Sequence, residues 1–408
     1  MVGLSKATVD LLYDIDAEKE GRVAFMAHMH DYLYSLMNPG EIRSQGSVVL
    51  EQLTEHINTL SNVAELNLFQ WCCEVFTQAT AFAFYGPNHI FAENPNLVDD
   101  FWTWERGLIG VMASPFPQLT SRKSYLACER MVAALTDYLK QERHGKASAV
   151  IKERIRWHTE RNMSLDDKAR CEVVMLFGAL TNGGVTLFWM LNYIFSNVQL
   201  LKELRQEIEK TSFSADETSN TATVTYRALQ TSCPLLNSVF KETLRLIAPM
   251  ASTRLVTKDT LIADTYLLRA NSIAMIAGGV MHEDPAIWGP DALAFNPRRF
   301  ITSTHGTKTG VEEKQKSTVH PATWRGFGGG AVFCPGRHFA QIEILTLVAA
   351  LVMGWDFTPA QGKRRVEYDP PKDEKRIPIG VMKPLRDIAL SMNRREGMNN
   401  LKWVLKME

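Results

Sequence analysis

The sequence predicts a mainly α fold with a small β region, on three observations. Helical periodicity dominates the first half of the chain. Short strand-like runs come only late. The longest apolar stretch, Val173 to Phe195, carries no charged side chain, yet its centre holds Thr181, Asn182, Gly183 and Gly184. A polar, glycine-broken centre suits a buried helix that bends around a ligand better than one facing lipid.

In chain order, apolar spacing places helices over about 22–37, 46–59, 64–85, 96–113, 121–142 and 147–160, separated by Asn38-Pro39-Gly40, Gly86-Pro87-Asn88 and Ser114-Pro115-Phe116-Pro117. Ser164-Leu165-Asp166-Asp167 reads as a capping box that opens one long helix to about Ser196. At ~1.5 Å per residue it would measure on the order of 48 Å. Strands are expected near 251–257, 261–267, 272–277 and 364–390, with a polar loop at 303–318 and a helix over about 338–353. No internal repeat is evident, and residues 1–408 read as one catalytic unit.

Composition narrows the function. The chain has 408 residues, 45 Lys and Arg against 45 Asp and Glu, and formal net charge zero, so nothing in its composition points to a nucleic-acid or polyanion partner. Its six cysteines show no Cys-x-x-Cys spacing and lie mostly in apolar stretches, which points to a reducing compartment and away from disulfides or a zinc site. Residues 1–20 are polar and mixed in charge, unlike a signal peptide or membrane anchor.

Toward the C-terminus, Phe327-Gly328-Gly329-Gly330-Ala331-Val332-Phe333-Cys334-Pro335-Gly336-Arg337 sets one cysteine at the tip of a glycine-rich loop that enters an apolar helix. A thiolate is stable inside a protein when positive charge and backbone N–H groups face it. Ferric iron on one side and a tight turn on the other meet both needs. Glycines at 328, 329, 330 and 336 let such a backbone approach a flat macrocycle. Earlier, Glu242-Thr243-Leu244-Arg245 lies on a helix with Glu242 and Arg245 at i,i+3, and Arg299 follows in Phe295-Asn296-Pro297-Arg298-Arg299-Phe300.

These motifs resemble those of the haem-thiolate cytochrome P450 family, whose Phe-x-x-Gly-x-x-x-Cys-x-Gly signature is filled by Phe327, Gly330, Cys334 and Gly336. The resemblance runs from about Arg170 to Arg395 and extends back toward Gly21. It implies the cytochrome P450 fold, haem b as cofactor and Cys334 as axial ligand to its iron. Glu242, Arg245 and Arg299 would be the structural cluster that clamps the cysteine loop. Arg254 and His30 would meet the cofactor's propionates, because the basic residue that many relatives place two positions before the cysteine is Val332 here. Phe177, Met250, Ala251, Thr253, Ile379 and Val381 would line the substrate pocket. Met281-His282-Glu283-Asp284-Pro285 reads as a structural turn, since no second histidine stands at metal-ligand spacing.

The long helix departs from the family pattern. An acid and an alcohol usually relay protons at its centre; Thr181 stands at the acid and Asn182 at the alcohol, and the asparagine resembles the branch containing prostacyclin synthase and the sterol 7-alpha- and 12-alpha-hydroxylases. The resemblance implies a monooxygenase using dioxygen and electrons from NADPH-cytochrome P450 reductase on a lipophilic small molecule, with Thr181 and Asn182 positioning oxygen and water. Likeness to fungal members implies a tailoring step in secondary metabolism. Two alternatives stay open: a reductase-independent isomerase or dehydratase, and a non-catalytic short form that does not retain haem. Relatives sit on the cytosolic face of the endoplasmic reticulum, but the anchor, hinge and first strands expected before residue 21 have no counterpart. A soluble short form, a trimmed chain and an incompletely read gene would each account for that.

Overall fold

The computed structural model describes residues 3–408 except 15, 18, 22, 61–62, 217, 302–303, 307–311, 315–318, 331–332 and 376–379. The N-terminal half is built from α1 (Lys6–Tyr13), α2 (Phe25–Leu36), α3 (Pro39–Thr59), β1 (Val63–Asn67), α4 (Leu68–Tyr85), α5 (Ile90–Glu93), α6 (Asn96–Arg106), α7 (Leu108–Ala113), α8 (Pro117–Thr120), α9 (Arg122–Lys140), α10 (Ala149–Glu160) and α11 (Leu165–Leu180). Then come α12 (Gly183–Phe195), α13 (Val198–Thr211), β2 (Phe213–Asp216), β3 (Thr221–Thr225), α14 (Tyr226–Ser232) and α15 (Pro234–Ile247). Strands β4 (Ala251–Leu255), β5 (Thr260–Ile262), β6 (Tyr266–Leu268) and β7 (Ile273–Ala277) precede α16 (Gly278–Glu283) and α17 (Pro285–Trp288). Strands β8 (Thr304–Gly306) and β9 (Glu312–Lys314), helix α18 (Arg337–Gly354), and strands β10 (Trp355–Pro359), β11 (Ala389–Arg394) and β12 (Lys402–Lys406) complete the order. The structure is mainly α with small sheets, as the sequence predicts.

Helix α12 runs through the core against α4, α18, α15 and α13. Its approach to α4 depends on missing side chains. A Cβ at Gly183 would fall 2.6 Å from the Phe76 ring, and one at Gly184 would fall 2.9 Å from the Cys72 carbonyl oxygen. Among the described residues, Leu165–Phe195 and Arg337–Gly354 are the helical stretches long and apolar enough to cross a membrane. Their apolar windows are 61% and 78% buried by the rest of the protein, so the fold itself covers most of that surface.

Capping works as expected at Ser164, whose hydroxyl accepts from the Asp167 N–H at 3.1 Å. Asp167 has a further task. It accepts from Ser5 N at 2.8 Å, Ser5 Oγ at 2.7 Å and Thr8 Oγ1 at 3.0 Å, which pins α1 to the start of α11. Burial pushes the Asp167 carboxyl up, and these hydrogen bonds outweigh it and hold it below its ordinary value.

Several expected elements are corrected. The one long helix expected to about Ser196, with a glycine-broken centre, is two helices, α11 and α12, interrupted at Thr181 and Asn182. The Thr181 hydroxyl donates back to the Phe177 carbonyl at 2.8 Å, a bond that competes with regular helix geometry. The helix expected over 96–113 divides at Gly107, where a Cβ would meet Ser124 Oγ. The helix expected from 64 begins at Leu68, because Val63–Asn67 pairs antiparallel with β11. The strand expected over 364–390 does not form until Ala389. Pro370, Pro371 and Pro384 lack the N–H donors a ladder needs, and among its described residues that stretch holds one bridge, Lys372 to Pro384. Three sheets went unforeseen in part: β1-β11-β10, β12-β3-β2, and the β8-β9 hairpin inside the polar loop.

Candidate active site

A cavity of about 420 Å³ opens between the break at α11/α12, the strand β4, the cysteine loop, the first turns of α18 and Val381. Of six free cysteines, five are buried and Cys334 alone is exposed, into this cavity wall. The loop that presents it is closed by the Cys334 N–H donating to the Phe327 carbonyl at 2.9 Å and the Gly328 N–H to the Arg325 carbonyl at 2.9 Å. Gly328 and Gly330 take φ of 81° and 68°, which L side chains rarely adopt, so these two glycines are conformational requirements. Gly329 serves space instead, since a Cβ there would fall 2.8 Å from Arg325 Nη1. Burial pushes the Cys334 thiol up, while the Gly336 amide and the Arg337 charge pull it back.

Beneath the loop, Glu242 and Arg245 are buried and bonded twice, Nε to Oε2 and Nη2 to Oε1, both at 2.8 Å. Arg299 Nε reaches the same carboxylate at 3.0 and 3.1 Å and extends to Asp291. Arg245 also donates to the carbonyls of His282 at 2.5 Å, Ala292 at 2.6 Å and Ala294 at 3.2 Å. Arg298 points outward to Glu203. The cluster is joined to the cysteine loop through His282, whose Nε2 accepts the Arg325 N–H at 2.9 Å. Burial lowers the His282 pKa to about 4, so the ring is neutral and its proton sits on Nδ1.

At the helix break, Asn182 Oδ1 accepts the Val381 N–H at 3.0 Å. Of the two polar atoms of an amide side chain only the oxygen accepts from an N–H, so the amide is oriented with Nδ2 as its remaining donor. Room for this bond exists because residue 380 is glycine; a Cβ there would fall 2.1 Å from Asn182 Oδ1.

The cavity wall brings together Asn182, Met250, Ala251, Thr253, Arg254, Val381, Phe327, Cys334 and Gly336 from the sequence-derived set. It does not include Thr181, whose hydroxyl is turned to Phe177, or Phe177, whose ring sits edge-on to Trp104 at 5.8 Å. Gly330 is exposed at the loop and also outside the wall. His30 is half-buried on α2, with Nδ1 3.2 Å from Asp31 and its ring 4.5 Å from Tyr34, and does not line the cavity. Ile379 lies outside the described residues.

Sequence reasoning missed Ser252, Thr186, Phe339 and Glu343 in the wall. Glu343 is buried on α18 and its carboxyl accepts from Thr80 Oγ1 at 2.6 Å. Burial raises its pKa to about 8, and only that hydroxyl opposes the shift. Spacing offered one clue, an acid inside an apolar run.

These residues fit a haem. A soft sulfur donor stands in an apolar-walled cavity, glycine backbone forms the bed beside it, and Arg254 faces the same space with no carboxylate partner among the described residues. Comparison with known proteins agrees. The profile of the cytochrome P450 family matches residues 34–386. The chain is 28% identical to cytochrome P450 monooxygenase nodJ of Hypoxylon pulicicidum over 344 residues, 83% of this chain and 65% of that protein. Against a cytochrome P450 monooxygenase of Gibberella zeae it is 28% identical over 383 residues, 91% of this chain and 71% of the relative. Similarity to cytochrome P450 7A1 of Oryctolagus cuniculus is 28% over 228 residues, 54% of this chain and 44% of the relative. The chain thus spans 65% and 71% of the length of these two fungal relatives. With a cysteine loop, a buried Glu-Arg-Arg cluster and a profile match across most of its length, this chain belongs to the cytochrome P450 family.

Proposed function

We propose that the chain is the catalytic body of a haem-thiolate monooxygenase acting on a lipophilic small molecule. The observation that carries the reading is Cys334, the one exposed cysteine of six, presented by a glycine loop to a mainly apolar cavity. Haem b held by the Cys334 thiolate would supply activation of dioxygen. Phe327 and Gly336 bed the cofactor, and Glu242, Arg245 and Arg299 hold the segments around the loop. Met250, Ala251, Thr253 and Val381 form the substrate wall, whose apolar character selects a lipophilic ligand. Asn182, with its carbonyl tied to Val381, offers its Nδ2–H to an oxygen atom or water in the cavity. Electrons would come from NADPH-cytochrome P450 reductase docking on the cysteine side. Naming of fungal relatives as monooxygenases supports this chemistry, and the place proposed for it is a tailoring step in secondary metabolism. Family precedent would place the working protein at the cytosolic face of the endoplasmic reticulum.

One observation favours a second reading. The Thr181 hydroxyl is engaged by the Phe177 carbonyl and Asn182 is an amide, so this stretch presents no acid and alcohol pair to the cavity. An isomerase or dehydratase that needs no reductase requires no such relay. Turnover measured with and without NADPH and reductase decides between them: product formed only with both supports the monooxygenase, and product formed in their absence supports the rearrangement. Cys334→Ser should abolish turnover in either case, because an alcohol is a far weaker ligand than a thiolate.

A further inference from the structure

Most buried guanidinium groups in this protein face a carboxylate: Arg245 and Arg299 face Glu242, Arg154 faces Glu172, and Arg170 faces Glu129. Arg325 is different. It is half-buried two residues before Phe327, and among the described residues it has no ion pair. Its Nη2 donates to Ser252 Oγ at 3.1 Å, while its Nε is buried without any hydrogen-bond partner. The guanidinium is clamped there, because its backbone N–H is held by His282 at 2.9 Å and its Nη1 lies flush against Gly329.

Ser252 and Arg254 stand two apart on β4, on the same face of the strand, and both line the cavity. Among the described residues Arg254 is likewise without a carboxylate, and its Nη1 donates to the Thr253 carbonyl at 2.7 Å. Arg254 and Ser252 thus stand on the cavity wall, and Arg325, one residue before the wall residue Gly326, touches that wall through its Nη2 on Ser252 Oγ; neither guanidinium has a carboxylate partner among the described residues. A half-buried cation with an unmet donor is costly until an anion arrives. Haem carries two carboxylates, and the position two before the cysteine, basic in many relatives, is Val332 here.

We infer that Arg325, with Ser252, binds one carboxylate of the cofactor and takes the place of the cation missing at position 332, Arg254 serving as the second cation. This rests on the haem reading above. The test titrates cofactor into the apo full chain and follows the haem absorption band, comparing haem b with its dimethyl ester, which keeps the ring and lacks the acid charges. Arg325→Gln should weaken haem b by about ten- to a hundredfold and the diester by less than about threefold. Arg325→Lys keeps the charge and loses the fork, and should fall between wild type and Arg325→Gln for haem b alone. Should Arg325→Gln fail to fold by circular dichroism, the lysine variant carries the same comparison.

Equal losses for haem and diester in these variants would show Arg325 to be a packing residue and overturn the inference. Unchanged haem affinity would do the same. A wild-type chain that binds neither form would remove the haem reading itself, an outcome distinct from wild type binding haem and Arg325 proving irrelevant.

Discussion

Glu343 shows how one residue in the cavity wall governs a measurable property of the whole fold. Its carboxyl, ordinarily near 4.5, is raised to about 8 by burial. As pH rises from about 4.5 to 8, the unfolded chain ionises this group while the folded chain keeps its proton. The stability it contributes is complete below the lower value and lost through the upper one. Glu343→Gln should therefore gain thermal stability relative to wild type between pH 5 and pH 8; a stability difference that does not change with pH would show the carboxyl to be ionised in the fold. His282 has the opposite sign. Its pKa falls from about 6.5 to about 4, so its contribution is present above the first value and lost as pH falls through the second. Haem retention by the wild type should decline across that acid window as the protonated ring loses its hold on the Arg325 N–H, and retention unchanged down to pH 4 would contradict this role. In the nearby cluster, Glu242→Ala should cost ~3–5 kcal/mol in chemical unfolding by leaving two guanidinium groups without their carboxylate. Arg298→Ala should stay within ~1 kcal/mol, because its ion pair with Glu203 is at the surface. Equal losses in Arg298→Ala and Arg299→Ala would refute the assignment of Arg299 to the cluster. Those residues were legible in the sequence because spacing and residue type signal a paired charge. Arg325 was not, since its signal is an absent partner, and absence is visible only once neighbours are placed.

Among elements, the break between α11 and α12 matters most. Thr181, Asn182, Gly183 and Gly184 announced a disturbed helix centre, and the helix is interrupted at Thr181 and Asn182. What spacing along one helix did not reveal is that Asn182 is fastened to Val381, 199 residues away. A hydrogen bond from a distant loop has no periodicity. Asn182→Ala should keep the haem and lose about ten- to a hundredfold in product formation, the size of one hydrogen bond to a polarised oxygen, ~1.5–3 kcal/mol. Gly380→Ala should reproduce that loss, because its Cβ would displace the Asn182 carbonyl. If Gly380→Ala turns over like the parent while Asn182→Ala does not, the tether to residue 380–381 is incidental. Strand β1 escaped notice for a related reason: its apolar residues continue directly into α4, and pairing with β11 is decided over 300 residues away.

On the scale of the whole molecule, the cavity wall is assembled from Phe84, the segment around Asn182, β4, the cysteine loop, α18 and Val381. Each segment carried its own local signature, and their convergence is a property of the fold. The central claim is that this convergence makes a haem-thiolate site at Cys334. It is tested most directly by the absorption spectrum of the purified chain, loaded with haem b, reduced and exposed to carbon monoxide. The account predicts the red-shifted band specific to an axial thiolate in wild type and its loss in Cys334→Ser. A wild-type chain that stays pigment-free, or a Cys334→Ser variant with the same spectrum as wild type, would contradict it.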